Sequence, residues 1–334
     1  MRQDRKDLRV LHVNDCAFYA HRVLEDARKR GLPWGFYPRA VADSSRAGLA
    51  GKLDYARQGL AWLAGLASRS LRVDLLHIHS GSMLHHTRFV PKKYVLTLHG
   101  TDIRTLQYDP RWQKSIQQGV RGAAAVMYTT PDLREHVAGL RADAIYLPVP
   151  ITTGSLPARQ VDASRSPRIF FVSRWDDSKG AAEQLDTARE LVRLSRGRYE
   201  VLGLDWGPYA LKAAESGVTL VPKMSHQGFL EFLGGCSLAV GQSSGLLGSS
   251  ELEALGMGVP LYMPLVPGLY PNNPPVGWGG PTDPAGLAEC ITTELFDGSD
   301  LEQRASVGVD WIEKHHSTAA TVDKLLAIYG QALR

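Results

Sequence analysis

The chain has 334 residues, of which 44% are hydrophobic and 22% charged, and this composition excludes a disordered or fibrous protein and predicts two globular domains. Its longest weakly polar run, residues 59–67, is far shorter than the roughly 20 apolar residues that span a bilayer. The N-terminus alternates charges and lacks the apolar segment of a secretion signal, so a cytoplasmic location is expected. Cys16, Cys236 and Cys290 are odd in number and far apart, which predicts reduced thiols rather than disulfides or a thiolate metal site.

The net charge of +4 hides a division between the two halves of the chain. Residues 1–165 carry 25 Lys and Arg against 14 Asp and Glu, and residues 166–334 carry 13 against 20, so the halves have net charges of +11 and −7. This asymmetry suggests that the first half meets an anionic membrane surface, a phosphorylated acceptor or, less favoured, nucleic acid. A dipolar enzyme without such a partner remains the alternative, because the basic residues are scattered. A peripheral position at the inner face of a membrane is the corresponding expectation.

Short apolar runs with little period-two character recur along the whole chain, as is typical of strands buried on both faces. In the first half they are residues 8–13, 73–79, 94–98, 124–129 and 144–148. In the second half they are residues 168–173, 200–204, 218–221, 238–241 and 259–263. Helical stretches separate them, so the sequence predicts an α/β fold with two parallel sheets, each covered by helices on both faces.

Helix signals and one polar segment divide the chain. Residues 181–196 are amphipathic, Asp283 followed by Pro284 predicts a capped helix start, and a last helix is expected over about 317–333. Residues 150–167 are rich in Pro, Ser and Thr, which predicts an interdomain linker. The predicted domains are therefore residues 1–160 and 161–334.

Ligands of open parallel sheets bind outside the carboxyl ends of the strands, so polar residues directly after each apolar run are candidates. One such segment, residues 98–104, contains a Gly turn beside His99 and Asp102. Another, residues 173–180, places Arg174 and Lys179 ahead of a helix N-terminus. Two cations at a helix N-terminus predict a diphosphate site, although solvated loop residues are the alternative.

The third candidate segment is residues 241–260, a Gly/Ser-rich loop that leads into a short helix. Gly245 and Gly248 allow a ligand to approach the backbone closely, and the Glu253 carboxylate could accept both hydroxyls of a ribose. Ser250 and Glu253 also have the spacing of a capping box, in which Glu253 only closes its own helix. Both interpretations stay open.

Three segments, YVLTLHGTDIR, RIFFVSRWDDSKG and ELEALGMGVPLYM, resemble in this order and spacing the retaining GT-B glycosyltransferases that use nucleotide sugars, the family 4-type group also called glycosyl transferases group 1. Residues 74–80, 123–137 and the closing helices are also similar, so the resemblance covers essentially the whole chain. It implies a GT-B fold of two Rossmann-like domains that face a cleft, with the donor held mainly by the C-terminal domain. It also implies a last helix that crosses back to the N-terminal domain and no required metal or cofactor, since the nucleotide-diphosphate sugar is a substrate.

The resemblance assigns roles position by position. Arg174 and Lys179 match the pair that binds the donor diphosphate and stabilises the leaving group, and Glu253 matches the second Glu of a Glu-x7-Glu element, which holds the ribose. His99 matches a histidine that faces the transferred sugar and is assigned a catalytic role. The remaining candidate residues are Gly245, Gly248, Ser249 and Ser250 in the donor loop, Lys223 and Met224 near the base, and Asp15, Gly100, Thr101 and Asp102 on the acceptor side.

Two departures from the family pattern matter. The first Glu of Glu-x7-Glu is Gly245 in this chain, so the group that usually contacts the sugar hydroxyls is missing, and donor identity and turnover stay open. The loop after the first strand reads Asn-Asp-Cys-Ala at residues 14–17, where the family has a Gly-rich turn, which implies a different acceptor pocket.

The function expected from these residues is transfer of a sugar, with retention and without a metal, to a cell-envelope or glycan acceptor in polysaccharide biosynthesis. The chain contains no Asp-x-Asp, so metal-dependent transfer is disfavoured. Two alternatives remain: transfer to a nucleic-acid base or another polyanion, and a non-catalytic subunit that binds nucleotide sugar or a partner.

Overall fold

The computed structural model describes residues 5–39, 48–297 and 301–334, and the chain divides between Pro150 and Ile151. Unit 1 comprises residues 1–150 and 318–334, and unit 2 comprises residues 151–317. The predicted boundary near residue 160 therefore differs from the observed one. The predicted linker is fixed to unit 2, because the Gln160 N–H donates to the Gly234 carbonyl (2.8 Å) and Ile151 pairs with Ser317.

Six parallel strands form the sheet of unit 1 in the order β2-β1-β3-β4-β5-β6. They are β1 (Val10–Val13), β2 (Trp34–Tyr37), β3 (Leu75–His79), β4 (Tyr94–Leu98), β5 (Ala125–Tyr128) and β6 (Ile145–Tyr146). Five of them lie within the predicted apolar runs. The prediction missed the edge strand β2, whose residues WGFY are mostly half-buried and contain no aliphatic run.

Helices cover both faces of this sheet, because successive strand residues point to opposite sides. Val10 and Leu75 belong to a core cluster with α1 and α13, and Leu11 and Leu76 belong to a second cluster with α2 and α5. The helices of unit 1 are α1 (Tyr19–Lys29), α2 (Gly48–Ser70), α3 (Leu84–Thr87), α4 (Thr101–Arg104), α5 (Pro110–Gly122), α6 (Leu133–Val137) and, at the end of the chain, α13 (Thr318–Ala332).

Unit 2 contains a second sheet of six parallel strands in the order β12-β11-β10-β7-β8-β9. They are β7 (Arg168–Phe171), β8 (Glu200–Leu204), β9 (Thr219–Val221), β10 (Leu238–Val240), β11 (Leu261–Met263) and β12 (Gly277–Trp278). Counted from β7, this is the strand order of a Rossmann fold, which reverses between its first and fourth strands, β7 and β10. The order in unit 1 reverses between β1 and β3. The predicted pair of parallel α/β sheets is confirmed.

The helices of unit 2 begin close to the positions that their sequence signals predict. Asp283 accepts a hydrogen bond from the Gly286 N–H (3.1 Å), and Pro284 is the first residue of its helix. These helices are α7 (Ala181–Ser195), α8 (Ala210–Glu215), α9 (His226–Gly234), α10 (Ser249–Gly256), α11 (Pro284–Phe296) and α12 (Leu301–His315). No helix among the described residues combines the length and apolarity that crossing a bilayer requires. The three cysteines are free, with Cys236 buried and the other two half-buried.

The last helix, α13, completes the core of unit 1. Val322, Leu325 and Tyr329 are fully buried and pack with Val10 and Leu75 of the sheet. The residues between them on the outer face, such as Lys324, are exposed. Unit 1 therefore depends on a segment that follows unit 2 in the sequence.

We predict that Leu325→Ala lowers the free energy of unfolding by about 2–5 kcal/mol, the cost of a lost side chain and the cavity it leaves in a core. The matched control is Lys324→Ala on the exposed face of the same helix, which should change stability by less than about 0.5 kcal/mol. Urea denaturation of the three proteins measures both values. Equal stability of the two variants would show that α13 is not part of this core.

Candidate functional site

The reversal of strand order between β7 and β10 selects one place at the edge of the unit 2 sheet. Connections from the two strands leave in opposite directions there, which opens a crevice outside their carboxyl ends. The loops after these strands, residues 172–180 and 241–248, contain the two predicted cations and the predicted glycine-rich turn. The topology therefore brings together segments that lie more than sixty residues apart in the sequence.

Main-chain contacts join these two loops and bring Lys179 to the start of α10. The Ser243 N–H donates to the Lys179 carbonyl (2.9 Å). Gly180 has φ 73°, and a Cβ there would lie 2.9 Å from the backbone carbon of Ser243. Gly248 directly precedes α10 and has no side chain, and the Lys179 Nζ lies 3.8 Å from the position that a Cβ would take there. An ammonium group beside a helix N-terminus makes this edge attractive for an anion.

Arg174 lies in the same loop and remains partly accessible, with 40% of its side chain exposed. Its Nη2 is 3.5 Å from the Ser178 Oγ, and its Nε is 3.6 Å from the Asp176 carboxylate. Hydrogen bonds from Ser178 and the charge of Arg174 lower the pKa of Asp176. Asp176 thus stays ionised and orients the guanidinium, so the loop supplies a second oriented cation.

An exposed aromatic residue, Trp206, was missed by the sequence analysis. It follows the end of β8 and is 44% exposed. The Arg174 Cζ lies 5.9 Å and the Lys223 Nζ 4.7 Å from its ring centroid, and the predicted base-side Met224 is half-buried beside Lys223. Its signal in the sequence is a Trp-Gly pair directly after a predicted strand, where Gly207 has φ 114°. Both cations lie over the indole ring, as in cation–π pairs, and the ring remains partly exposed.

The cap of α10 differs from the predicted one. The helix begins at Ser249, and Glu251, not Glu253, accepts a hydrogen bond from the N–H of the capping residue Gly248 (3.0 Å). A second bond to Glu251 comes from the Gln242 N–H (3.1 Å). The alternative interpretation of Ser250 and Glu253 as a capping box is therefore excluded. Gly248 does not offer its N–H to a phosphate, whereas Ser249 and Ser250 lie in the first turn, where N–H groups have no partner within the helix.

Glu253 is buried, at 2% exposure, although it closes no helix. Its Oε1 lies 2.8 Å from the Nε2 of His226, the first residue of α9, whose side chain is 34% exposed. His226 was not predicted from the sequence, although it follows the predicted base-side residue Met224 by only two positions. A buried carboxylate paired with a half-exposed imidazole is a preformed acceptor for hydroxyl groups.

Gly245 stands where the family pattern has its first Glu, and the backbone requires glycine there. Its φ is 75°, and a Cβ would lie 2.8 Å from Val266 Cγ2 and 2.9 Å from the Val266 nitrogen. A glutamate at this position would be strained and would clash. The neighbouring polar groups are instead Gln242 and Ser244, whose Oγ donates to the Gln242 Oε1 (2.8 Å).

In unit 1, the buried carboxylate of Asp102 organises the loop after β4. It accepts hydrogen bonds from the N–H groups of Gly100 (2.9 Å), Ile103 (3.0 Å) and Gly81 (2.8 Å). Gly100 has φ 132°, which favours glycine, and Thr101 is exposed as the first residue of α4. Asp102 is only 3% exposed. It thus shapes the turn rather than presenting a carboxylate to an acceptor.

The loop after β1 contains three non-glycine residues with positive φ. Asn14, Ala17 and Phe18 have φ of 69°, 54° and 60°, a region that costs about 1 kcal/mol or more for such residues. The predicted acceptor-side Asp15 accepts from the Ala20 N–H (2.7 Å) and contacts His21. Its carboxylate is thereby engaged at the start of α1.

His99 directly follows β4 at the same edge and joins a cluster of three histidines that was not predicted from the sequence. His12, His77 and His79 are fully buried, and one ligand atom of each lies within 4.8 Å of the others. The His79 Nδ1 is 3.3 Å from the His99 Nε2. The signal was present in the strand sequences LHV and LHIH, where histidines occupy core positions.

These rings are neutral. Burial lowers the pKa of His12 to about 3. It also lowers the pKa of His99 to about 4, although the negative charges of Asp102 and Asp15 act in the opposite direction. Burial, with the neighbouring histidines, holds the pKa values of His77 and His79 well below the usual range. These imidazoles therefore add no positive charge to the edge of unit 1, whereas the loops at the edge of unit 2 carry Arg174 and Lys179.

No protein-family model and no curated protein matches the sequence. Solved structures do match it: sucrose-phosphate synthase from Thermosynechococcus elongatus has a TM-score of 0.70 at 13% identity, over 96% of this chain and 98% of that one. UDP-forming α,α-trehalose-phosphate synthase from Burkholderia xenovorans has a TM-score of 0.70 at 12% identity, with coverage of 96% and 98%. The chain has the GT-B fold. HepE from Anabaena, solved in complex with UDP, matches with a TM-score of 0.67 at 12% identity, over 95% and 98% of the chains.

The neutral histidines predict a pH dependence of stability for this GT-B chain. Their folded pKa values lie below the unfolded value of about 6.5, so as pH falls below about 6.5 the unfolded chain binds protons that the folded chain does not. The free energy of unfolding should then fall by up to about 1.4 kcal/mol per pH unit for each such histidine. Urea denaturation between about pH 7 and pH 4.5 measures the slope.

His12→Phe isolates the contribution of one ring. The number of protons bound on unfolding in this pH range should fall by about one relative to the unsubstituted protein, and the slope of the unfolding free energy against pH should fall accordingly. This holds whatever the effect of the substitution on stability at neutral pH. An unchanged slope would mean that His12 becomes protonated in the folded state.

Proposed function

We propose that the chain is a glycosyltransferase whose unit 2 binds a nucleotide-diphosphate sugar. The observation that carries this proposal is the position of the Lys179 ammonium beside the N-terminus of α10, in the loop that also contains Arg174. Two phosphates need compensating charge and N–H donors, and this edge offers both. The strand order places the same loops where Rossmann folds take nucleotides.

Arg174 and Lys179 also fit the chemical step. When the bond between the sugar and the diphosphate breaks, negative charge grows on the leaving phosphate, and cations oriented in advance stabilise that state more than the ground state. We therefore propose that these two side chains, rather than a metal ion, supply the charge stabilisation. Retention of the anomeric configuration is part of the proposal because of the sequence resemblance.

The nucleoside has candidate partners on the neighbouring strands. The Glu253 carboxylate would accept the ribose hydroxyls, and the Trp206 indole between Arg174 and Lys223 would contact the base. UDP is the nucleotide of choice for a first test, since HepE, with the same fold, was solved with UDP. The acceptor would be taken by unit 1, and the +11 charge of residues 1–165 supports a phosphorylated acceptor or one at an anionic membrane, as in cell-envelope glycan synthesis.

Lys179→Ala and Arg174→Ala should each lower sugar transfer by roughly 100-fold or more, the scale of losing one oriented donor to the transition-state charge. The assay follows UDP release from UDP-sugars with mixed glycan acceptors. Lys314→Ala and Arg189→Ala replace exposed cations of the same unit and serve as matched controls that should retain full activity. If the loop variants transfer sugar as fast as their controls, this loop has no part in the reaction.

Glu253→Gln keeps the size of the side chain and removes its charge. We expect UDP affinity, measured by calorimetry, to fall about 10-fold or more, because hydrogen bonds to a charged group are worth about 1.5–3 kcal/mol. His226→Gln separates the two roles of Glu253, since it removes the imidazole but keeps the carboxylate. If both variants lose stability and neither changes UDP affinity, Glu253 is only the structural partner of His226.

A second function is favoured by Gly245 alone. The backbone there excludes the carboxylate that the family pattern has for the sugar hydroxyls, so a subunit that binds a nucleotide sugar without transferring it fits this feature. UDP binding that depends on Lys179, together with no UDP release from any common UDP-sugar, would support this alternative.

A further inference from the structure

The buried side chains behind His99 form one continuous hydrogen-bonded series, here called the histidine network. Its links are Thr97 Oγ1 to His77 Nε2 (2.7 Å), His77 Nδ1 to Tyr329 OH (2.6 Å), Tyr329 OH to His12 Nε2 (3.4 Å), His12 Nδ1 to His79 Nε2 (3.0 Å) and His79 Nδ1 to His99 Nε2 (3.3 Å). All of these residues belong to unit 1. The strand residues lie on the face of the sheet that α1 and α13 cover.

The network has two ends of different character. At the inner end, Thr97 is fully buried, and its hydroxyl makes no hydrogen bond among the described residues other than the one to His77. At the outer end, His99 is half-buried and directly follows β4, and its Nδ1 makes no hydrogen bond to the other described residues. The network therefore runs from the core to the edge of the sheet.

The inner end fixes the direction of every link. A neutral imidazole has one donor and one acceptor nitrogen, so the tautomer of one ring sets that of the next. If Thr97 accepted from His77, its own buried hydroxyl proton would have no acceptor, which costs about 1–3 kcal/mol. Thr97 therefore donates to the Nε2 of His77, and the Nδ1–H of His77 donates to the Tyr329 hydroxyl.

The same logic continues outward. Tyr329 donates to the Nε2 of His12, the Nδ1–H of His12 donates to His79, and the Nδ1–H of His79 donates to the Nε2 of His99. The low pKa values of His12 and His99 agree with uncharged rings. We propose that the histidine network holds His99 as a neutral, Nδ1-protonated ring, which donates one hydrogen bond from this N–H to an oxygen of the substrate. This inference rests on the proposed function for its substrate, and it makes His99 a hydrogen-bond donor rather than a general base.

A metal site is the competing interpretation of three buried histidines, since imidazole is a common zinc ligand. The rings of His77 and His79 stack with centroids 4.1 Å apart and an angle of 27° between their planes. Their in-plane lone pairs therefore do not converge on one point, and Thr97 and Tyr329 occupy both nitrogens of His77. The geometry favours hydrogen bonding over metal binding.

Two-bond 1H–15N correlation spectra of the full chain labelled with 15N-histidine show which nitrogen of each ring carries the proton. We expect a single Nδ1–H tautomer for His12, His79 and His99 at neutral pH. Thr97→Ser keeps the hydroxyl and should leave these tautomers unchanged. In the isosteric Thr97→Val, the Nε2 of His77 has no hydrogen-bond partner at residue 97 whether or not it carries a proton, so neither tautomer of His77 is favoured there. The Nε2–H form of His99 should therefore rise from undetectable to a measurable population.

Tyr329→Phe interrupts the network at its centre and provides a second variant, which should likewise give His99 a mixture of tautomers. Thermal melting checks that each variant is folded. An Nε2–H tautomer of His99 in the unsubstituted protein, or unchanged tautomers in both folded variants Thr97→Val and Tyr329→Phe, would overturn the inference. One equivalent of zinc retained after dialysis, with shifts of the His12, His77 and His79 signals, would overturn it in favour of a metal site.

Activity provides a separate readout for His99. His99→Asn places an amide N–H where Nδ1 was and should retain more transfer activity than His99→Gln, which places its amide near the Nε2 position. If the tautomers are as expected but no transfer is found with any UDP-sugar, the network stands and the proposed function fails. If transfer is found and His99 carries its proton on Nε2, the proposed function stands and this inference fails.

Discussion

The donation from the Ser243 N–H to the Lys179 carbonyl is the contact on which the candidate site of unit 2 depends. It ties the loop after β7 to the loop after β10, the two strands at which the sheet reverses its order. Gly180 permits this contact, because any side chain there would meet the Ser243 backbone. Without that approach, the Lys179 ammonium would not lie beside the first turn of α10.

A second constraint at this edge is the buried carboxylate of Glu251. By accepting the N–H groups of Gln242 and Gly248 it fixes both ends of the loop between β10 and α10. Glu253, two residues further along α10, pairs with His226 instead. Two carboxylates two residues apart thus have different hydrogen-bond partners, Glu251 the loop backbone and Glu253 the side chain of His226.

Much of the fold could be predicted from the sequence, because parallel strands buried on both faces leave a strong apolar signal. The runs 94–98 and 200–204 are strands at the predicted bounds. The edge strand β2 was missed because its exposed setting removes that signal. The sequence offered Glu253 rather than Glu251 as a possible cap residue, because residues 248–251 and 250–253 have the same spacing and a glycine is a weaker sequence signal for a cap than a serine.

The site was predictable only in part, for a related reason. Loop cations after a strand are visible in a sequence, but the requirement of Gly245 for a positive φ and the role of Trp206 depend on which strands become neighbours. The histidines of β1 and β3 were overlooked because a polar residue inside an apolar run gives no hint of its partner, and Tyr329, a partner of both His77 and His12, lies about 250 or more residues away in the sequence.

The net charge of each half of this chain does not indicate which charged groups lie at the edge of its sheet. The half with a net charge of −7 carries the two oriented cations, whereas the half with +11 has at its sheet edge a carboxylate sequestered by backbone N–H groups and imidazoles that burial keeps neutral. The net charge of +11 therefore comes from the Lys and Arg residues of this half and not from its histidines. An anionic partner recognised through that charge would be attracted over a distance of about a Debye length and would lose affinity with salt, while hydrogen bonding at His99 would be far less sensitive to ionic strength.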